Sequence, residues 1–145
     1  MSGRTVERWL DIAAPREWLF DLTQDYSLRL VWDPYLVEAT LLGEKPGVGV
    51  RAWCVSKFPR WGMETEYVSF ARPHTVAIKM TSGPRLLHRF AGSWRFDEQA
   101  AATRVTFRYR FECAAWLAPF ASLVFERDME QRLRGLRDYA VRARA

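Results

Sequence analysis

Two histidines, His74 and His88, are the side chains of this chain that titrate near neutral pH without help from their surroundings. His74 follows Pro73 in a turn pattern and is expected in solvent. His88 alternates with Phe90, Gly92, Trp94 and Phe96, so a strict two-residue period puts it on one strand face with three large rings. A neutral imidazole there would act as donor, acceptor or general base. Tyr67 and Tyr109, on neighbouring strand patterns, would donate to a ligand oxygen. No carboxylate shares the His88 face to orient the ring, so proton transfer by His88 with Tyr67 or Tyr109 stands beside the plainer reading that all three are satisfied core residues.

Other chemistry lacks its starting residues. There is no H-E-x-x-H, G-x-S-x-G or G-x-x-x-x-G-K-[ST], which removes zinc-peptidase, serine-hydrolase and P-loop readings. Gly47-Val48-Gly49 lies between two strand patterns, without the helix that would let a glycine-rich loop bind phosphate. Cys54 and Cys113 have neither redox nor zinc-ligand spacing and are expected as small buried hydrophobes. Neither a metal nor a cofactor is expected.

Composition bounds the class. The 145 residues are 49% hydrophobic and 14% aromatic, enough for one packed core and too apolar for a disordered chain, so residues 1–145 are expected to form a single domain. The longest uncharged run, Cys113 to Phe125, holds Pro119 and falls short of the ~20 residues of a membrane span. Arg4, Glu7 and Arg8 stand where a secretory signal would be apolar, so a cytoplasmic location is expected. The net charge is +5, but the basic residues of the first 110 positions are scattered, and the arginines from Arg127 to Arg144, Arg132 among them, read as the solvated face of a helix. Nucleic-acid binding is not expected.

Periodicity supplies the elements that must position these side chains. Thr5 to Ile12 alternates as a strand, Pro15 to Leu22 carries an apolar helical stripe, and Asp25 caps a second short helix that Asp33-Pro34 ends. Six further strands follow between turn signals: Leu36 to Leu42, Val50 to Ser56, Met63 to Phe70, Thr75 to Thr81, Leu87 to Phe96 and Arg104 to Glu112. Connections so short impose an antiparallel meander. After Pro119, Phe125, Met129, Leu133, Leu136 and Ala140 form one stripe of a helix reaching about Ala143.

Seven strands at ~4.8 Å spacing span roughly 34 Å, whereas one helix is about 10 Å across. Curling, the short helices or an enclosed cavity must cover the rest of the apolar face. The inner-face candidates are large and soft with few polar tips: Met63, Thr65, Tyr67, Met80, His88, Phe90, Trp94, Phe107, Tyr109, Phe125 and Met129. That mixture is the usual lining of a small-molecule pocket, and a dry core is the alternative. Alternation puts Met63, Thr65, Tyr67 and Ser69 inward; a β-bulge would instead turn Glu64 and Glu66 toward the interior.

The order of elements, with Asp11-Ile12-Ala13-Ala14-Pro15-Arg16-Glu17-Trp18-Leu19-Phe20, Trp32-Asp33-Pro34, Gly92-Ser93-Trp94-Arg95-Phe96 and Thr103 to Tyr109, resembles the START-like helix-grip superfamily (SRPBCC), in particular its bacterial polyketide cyclase/dehydrase and lipid-transport family. The resemblance spans about Arg4 to Ala140. It implies an α+β helix-grip fold, a curved seven-stranded antiparallel sheet wrapped around a long C-terminal helix, with two short helices after strand 1. It also implies a hydrophobic ligand of lipid, polyketide or aromatic type held between sheet and helix, in a monomer or homodimer. Enzyme-like members that this chain resembles place an arginine on the inward face of the strand before Arg72-Pro73, and none stands there. Three readings follow: a binding protein, a polyketide cyclase or dehydratase using the same cavity, and an interaction module whose Trp116 to Phe125 segment docks a protein over a closed core.

Overall fold

The computed structural model describes residues 2–145. Strand β1 (Ser2–Ile12) is followed by the short helices α1 (Arg16–Gln24) and α2 (Arg29–Trp32). Then come β2 (Leu36–Leu42), β3 (Arg51–Ser56), β4 (Gly62–Ala71), β5 (Thr75–Ser82), β6 (Leu87–Gln99), β7 (Ala102–Cys113) and α3 (Ala118–Ala143). The seven strands form one sheet in the order β1-β7-β6-β5-β4-β3-β2 with every pair antiparallel, so the meander closes by bringing β1 beside β7. This is the helix-grip architecture.

Local chemistry sets the boundaries. Pro15 caps α1 and Asp33-Pro34 terminates α2, as their restricted backbones require. Pro119 sits in the first turn of α3, where its missing N–H leaves no bond unmade. Gly49, in the β2–β3 connection, has φ +89°, a conformation that disfavours side chains. α3 lies across β1 and β7, where Arg8 of β1 donates to Glu126 and Glu130 at 2.8 and 3.2 Å.

Two β-bulges change which residues face inward. Between Leu87 and Arg89 the register against β7 shifts, Leu87 takes the buried place, and His88 points outward into solvent. The alternation that placed His88 with Phe90 and Trp94 holds only from Phe90 onward. A second shift, between Tyr67 and Ser69, exposes Ser69 and turns Phe70 inward against Phe20 and Tyr67. Glu64 and Glu66 remain outside the interior, where both accept from Arg51 at 3.1 Å.

The long helix deviates from the sequence reading in one respect. Arg132 is buried, because it projects from the same stripe as Phe125, Met129 and Leu136. Cys113 is buried and Cys54 half-buried.

Candidate functional site

The side chains that meet between α3 and the strands β3 to β7 leave a cavity of about 120 Å³. An apolar cavity of ~150 Å³ holds one benzene, so this volume is on the scale of a single ring. Its apolar wall is aromatic: Trp94 stacks on Phe107 at 3.8 Å between ring centres, and Tyr109 meets Phe107, Phe90 and Phe125 at 4.8, 4.8 and 5.3 Å. Met63, Thr65, Val76 and Ile78 continue the lining along the neighbouring strands β4 and β5, and Gly92 keeps the β6 wall free of a side chain between Phe90 and Trp94.

A polar cluster closes one side. Asp33, at the end of α2, accepts from Arg29 Nε at 3.1 Å, Arg132 Nε at 3.0 Å and the Tyr35 backbone amide at 3.0 Å. Arg132 also donates to the Tyr109 hydroxyl, which donates to Asp128 Oδ2 at 3.2 Å. A neighbouring chain runs from Tyr67, whose hydroxyl donates to Gln24 Oε1 at 2.6 Å and lies 3.3 Å from that of Tyr26. Arg29, Arg132, Asp128, Tyr26, Tyr35, Tyr67, Tyr109 and Gln24 all face the cavity.

The cluster depends on close approach of α2 to α3. A Cβ on Gly135 of α3 would lie 2.4 Å from the Trp32 carbonyl oxygen and 2.7 Å from Pro34 Cδ. Glycine therefore lets the α2 corner sit directly on α3, and Asp33 reaches Arg132 as a result.

Burial and charge act oppositely on the two carboxylates. Burial disfavours an ionised Asp33, but the guanidinium groups of Arg132 and Arg29 outweigh it and hold its pKa below the ordinary carboxylate value. For Asp128 burial dominates, Arg132 at 3.8 Å offsets only part of it, and the pKa is pushed up to about 7. Asp128 Oδ1 is buried and, among the described residues, no donor reaches it. Burial also raises Tyr35 to about 12 and raises Tyr67 and Tyr109, so the three phenols stay protonated. Two guanidinium groups thus face one ionised carboxylate and a second that changes charge near neutrality.

Of the residues singled out from sequence, Met63, Thr65, Tyr67, Phe90, Trp94, Phe107, Tyr109 and Phe125 line the cavity. Met129 is fully buried in the adjoining core and does not line it. Met80 is half-buried beside Met63 near Gly83, off the cavity wall, and His88 is on the other face of the sheet. Sequence patterning does not single out Arg29, Asp33, Asp128, Arg132, Gln24, Tyr26 or Tyr35 as site residues. A signal existed for Arg132, which at about 100° per residue falls within roughly 20° of Phe125 around the helix, in the middle of the apolar stripe. The spacings Arg29/Asp33 and Asp128/Arg132, each four apart, were a second signal. Among the described residues no group of three or more His, Cys, Asp or Glu is arranged to hold a metal ion.

The family model described as polyketide cyclase/dehydrase and lipid transport matches residues 4–141. Among solved structures the chain is similar to the Zhui aromatase/cyclase from a Streptomyces species, with TM-score 0.85 and 18% identity over 99% of this chain and 97% of that one. It is also similar to a START superfamily protein from Mycobacterium smegmatis, with TM-score 0.82 and 12% identity over 96% and 98%. A third is norcoclaurine synthase from Thalictrum flavum, with TM-score 0.76 and 10% identity over 97% and 87%. No curated protein matches the chain. At such identities the structural likenesses establish the fold alone.

Proposed function

Because this chain belongs to the polyketide cyclase/dehydrase and lipid transport family, we propose that it binds a small, largely apolar, ring-containing or acyl molecule between sheet and α3, with an oxygen function directed at Arg132, Tyr109 and Asp128. The observation that carries this reading is the juxtaposition of an aromatic cavity with a buried carboxylate oxygen, Asp128 Oδ1, that has no partner within the protein. Leaving a buried polar atom unpaired disfavours folding by about 1–3 kcal/mol, and a ligand hydroxyl or enol would recover that loss. The aromatic wall supplies the apolar contact, and Arg132 favours electron-rich oxygen. A closed-core interaction module does not account for the space.

A second reading is proton-transfer chemistry of the cyclase or dehydratase kind in the same cavity, and Asp128 is the feature that favours it. A carboxyl with a pKa of about 7 exists in both forms at neutral pH, as a general acid–base requires. Ionised Asp128 would take a proton from carbon next to a ligand carbonyl while Arg132 and Tyr109 stabilise the enolate oxygen; the acid form would then return the proton to a departing hydroxyl, releasing water. His88 has no part in this scheme, and Tyr67, held by Gln24, orients the ligand at most.

Native mass spectrometry of the purified protein, followed by denaturing extraction, tests the first reading. A retained small molecule carrying a ring or acyl chain and at least one oxygen is the expected result. If the extracted molecule still binds the Trp94→Ala, Phe107→Ala double variant with unchanged affinity, the cavity is not the site. Conversion of that molecule by wild-type protein but not by Asp128→Asn, with binding retained, supports the enzymatic reading.

A further inference from the structure

The register brings together at one end of the sheet the start of β2, the end of β3, the start of β4, the end of β5, the start of β6 and the end of β7. The connections at that end are residues 57–61, 83–86 and 114–117, and α3 begins there. They carry Phe58, 87% exposed, and Trp116, 77% exposed, together with exposed Leu86, Phe120 and Leu123. Phe120 and Leu123 share one face of α3, turned away from the buried Ala118, Ser122 and Phe125, and Trp116 stands in the turn just before the helix. Among the described residues four Trp or Phe side chains are exposed. Three stand at this end; the fourth, Trp9, is covered by the Arg104 guanidinium 3.7 Å above its ring.

Charge separates this rim from an ordinary apolar patch. Lys57, Arg60 and Arg85 are exposed in the same connections, and residues 57–61, 83–88 and 114–125 contain no aspartate or glutamate. The tips are also chain neighbours of the cavity: Leu86 precedes the lining residue Leu87, Phe58 shares its turn with Trp61, and Leu123 is two residues before Phe125. We infer that this rim docks on an anionic lipid bilayer, its apolar tips entering the interface and its three basic side chains meeting lipid phosphates. Separate protruding loops with Trp, Phe and Leu at their ends and cations beside them suit a soft apolar layer under anionic headgroups. A second copy would present the same uncompensated positive charge and repel it.

Co-sedimentation with vesicles of phosphatidylcholine, alone or mixed with phosphatidylglycerol, tests the inference. The expected result is binding to the mixed vesicles that weakens as salt is raised. Phe120→Ser with Leu123→Ser, and separately Lys57→Glu, Arg60→Glu with Arg85→Glu, should each weaken it at least about tenfold. All five positions are exposed, so thermal unfolding of both variants should match wild type, and either one suffices if the other folds poorly. No binding to mixed vesicles overturns the inference. A dimer in sedimentation velocity that the serine variant dissolves also overturns it, by making a second copy the occupant. Binding to soluble polyglutamate as tight as to vesicles, unaffected by the serine changes, overturns it in favour of an acidic protein. Retention of the cavity ligand is a separate measurement that these variants leave unchanged.

Discussion

Where β1 turns into α1, Phe20 meets Phe70 and Phe96 edge-on at 5.2 and 5.4 Å, and Ile12, Leu19 and Val105 fill the space around them almost without solvent contact. Under β3 to β5 the inner side chains Cys54, Met63, Thr65 and Ile78 stay half-buried around a cavity, and the elements facing them contribute arginines and aspartates. Both regions belong to one sheet and are sealed by helices. The difference lies in what the helices present. α1 offers Leu19 and Phe20, which fill a gap completely. α2 and α3 offer Arg29, Asp33, Asp128 and Arg132, whose hydrogen-bonding geometry fixes their separation and prevents collapse. An interior held open by ion pairs is thereby a packing consequence of charge placed on a helix's apolar stripe.

The sharpest test compares rings of the same type in the two regions. Phe96→Ala, in the dry region, should lower stability by about 3–5 kcal/mol, because neighbours so tightly packed cannot collapse into the space. Phe107→Ala removes a ring that already borders a void, and the loss should be smaller, about 2 kcal/mol, below the range for packed sites. Urea denaturation of both variants gives the values. Equal losses would mean that the cavity region is as well packed as the α1 end.

Asp33→Asn should follow, at about 3 kcal/mol, since it leaves Arg29 and Arg132 buried without their shared carboxylate. Its effect should depend on pH in a defined direction. The folded pKa of Asp33 lies below the ordinary 3.8, so its stabilisation is present above that value and lost as pH falls through the lower folded pKa. Wild type and variant should therefore converge in acid. A difference that stays constant down to strongly acidic pH would show that Asp33 acts through shape and not charge.

These two regions also differ in how far the sequence reveals them. The α1 end follows from patterning: Asp11 to Phe20 reads as strand, turn and apolar helix, and the structure has β1 and α1 there. The meander from β2 to β7 and the long helix follow from turn spacing and a change of period, whereas the pairing of β1 with β7 is a long-range contact that turn spacing does not give. The cavity's aromatic wall is legible for the same reason, because Trp94, Phe107 and Tyr109 alternate regularly. The polar side is not. His88 looked inward because a period-two reading has no means of seeing the bulge at Leu87/Arg89, which depends on register against β7. Arg132 reads as solvated among the arginines of the last turns, although its own angle lies on the stripe. Asp33 looked like a stop signal only, and its partnership with Arg132 spans 99 residues of chain. Local patterns carry no information about such contacts.

Near pH 4 the smallest effect on stability should come from Asp128→Asn, and its interest lies in the sign of what appears as pH rises. Asn has the shape of the protonated acid and can still accept from Tyr109, so the geometry of the cluster should persist. Burial raises the folded pKa of Asp128 from 3.8 to about 7. The folded protein therefore holds a proton there that the unfolded chain releases, and the resulting stabilisation is complete below 3.8 and lost as pH rises through about 7. Wild-type stability should carry this downward slope between those limits, opposite in direction to that from Asp33. In Asp128→Asn the slope should vanish: the variant should match wild type near pH 4 and exceed it above pH 7. Thermal or urea unfolding across that interval, run on both proteins in the same buffers, measures the difference curve directly. A flat difference would mean that Asp128 is ionised throughout and paired with Arg132. The cluster would then be a closed, neutral ion network, and the cavity would lose the one group that distinguishes an acid–base site from a pocket that only binds.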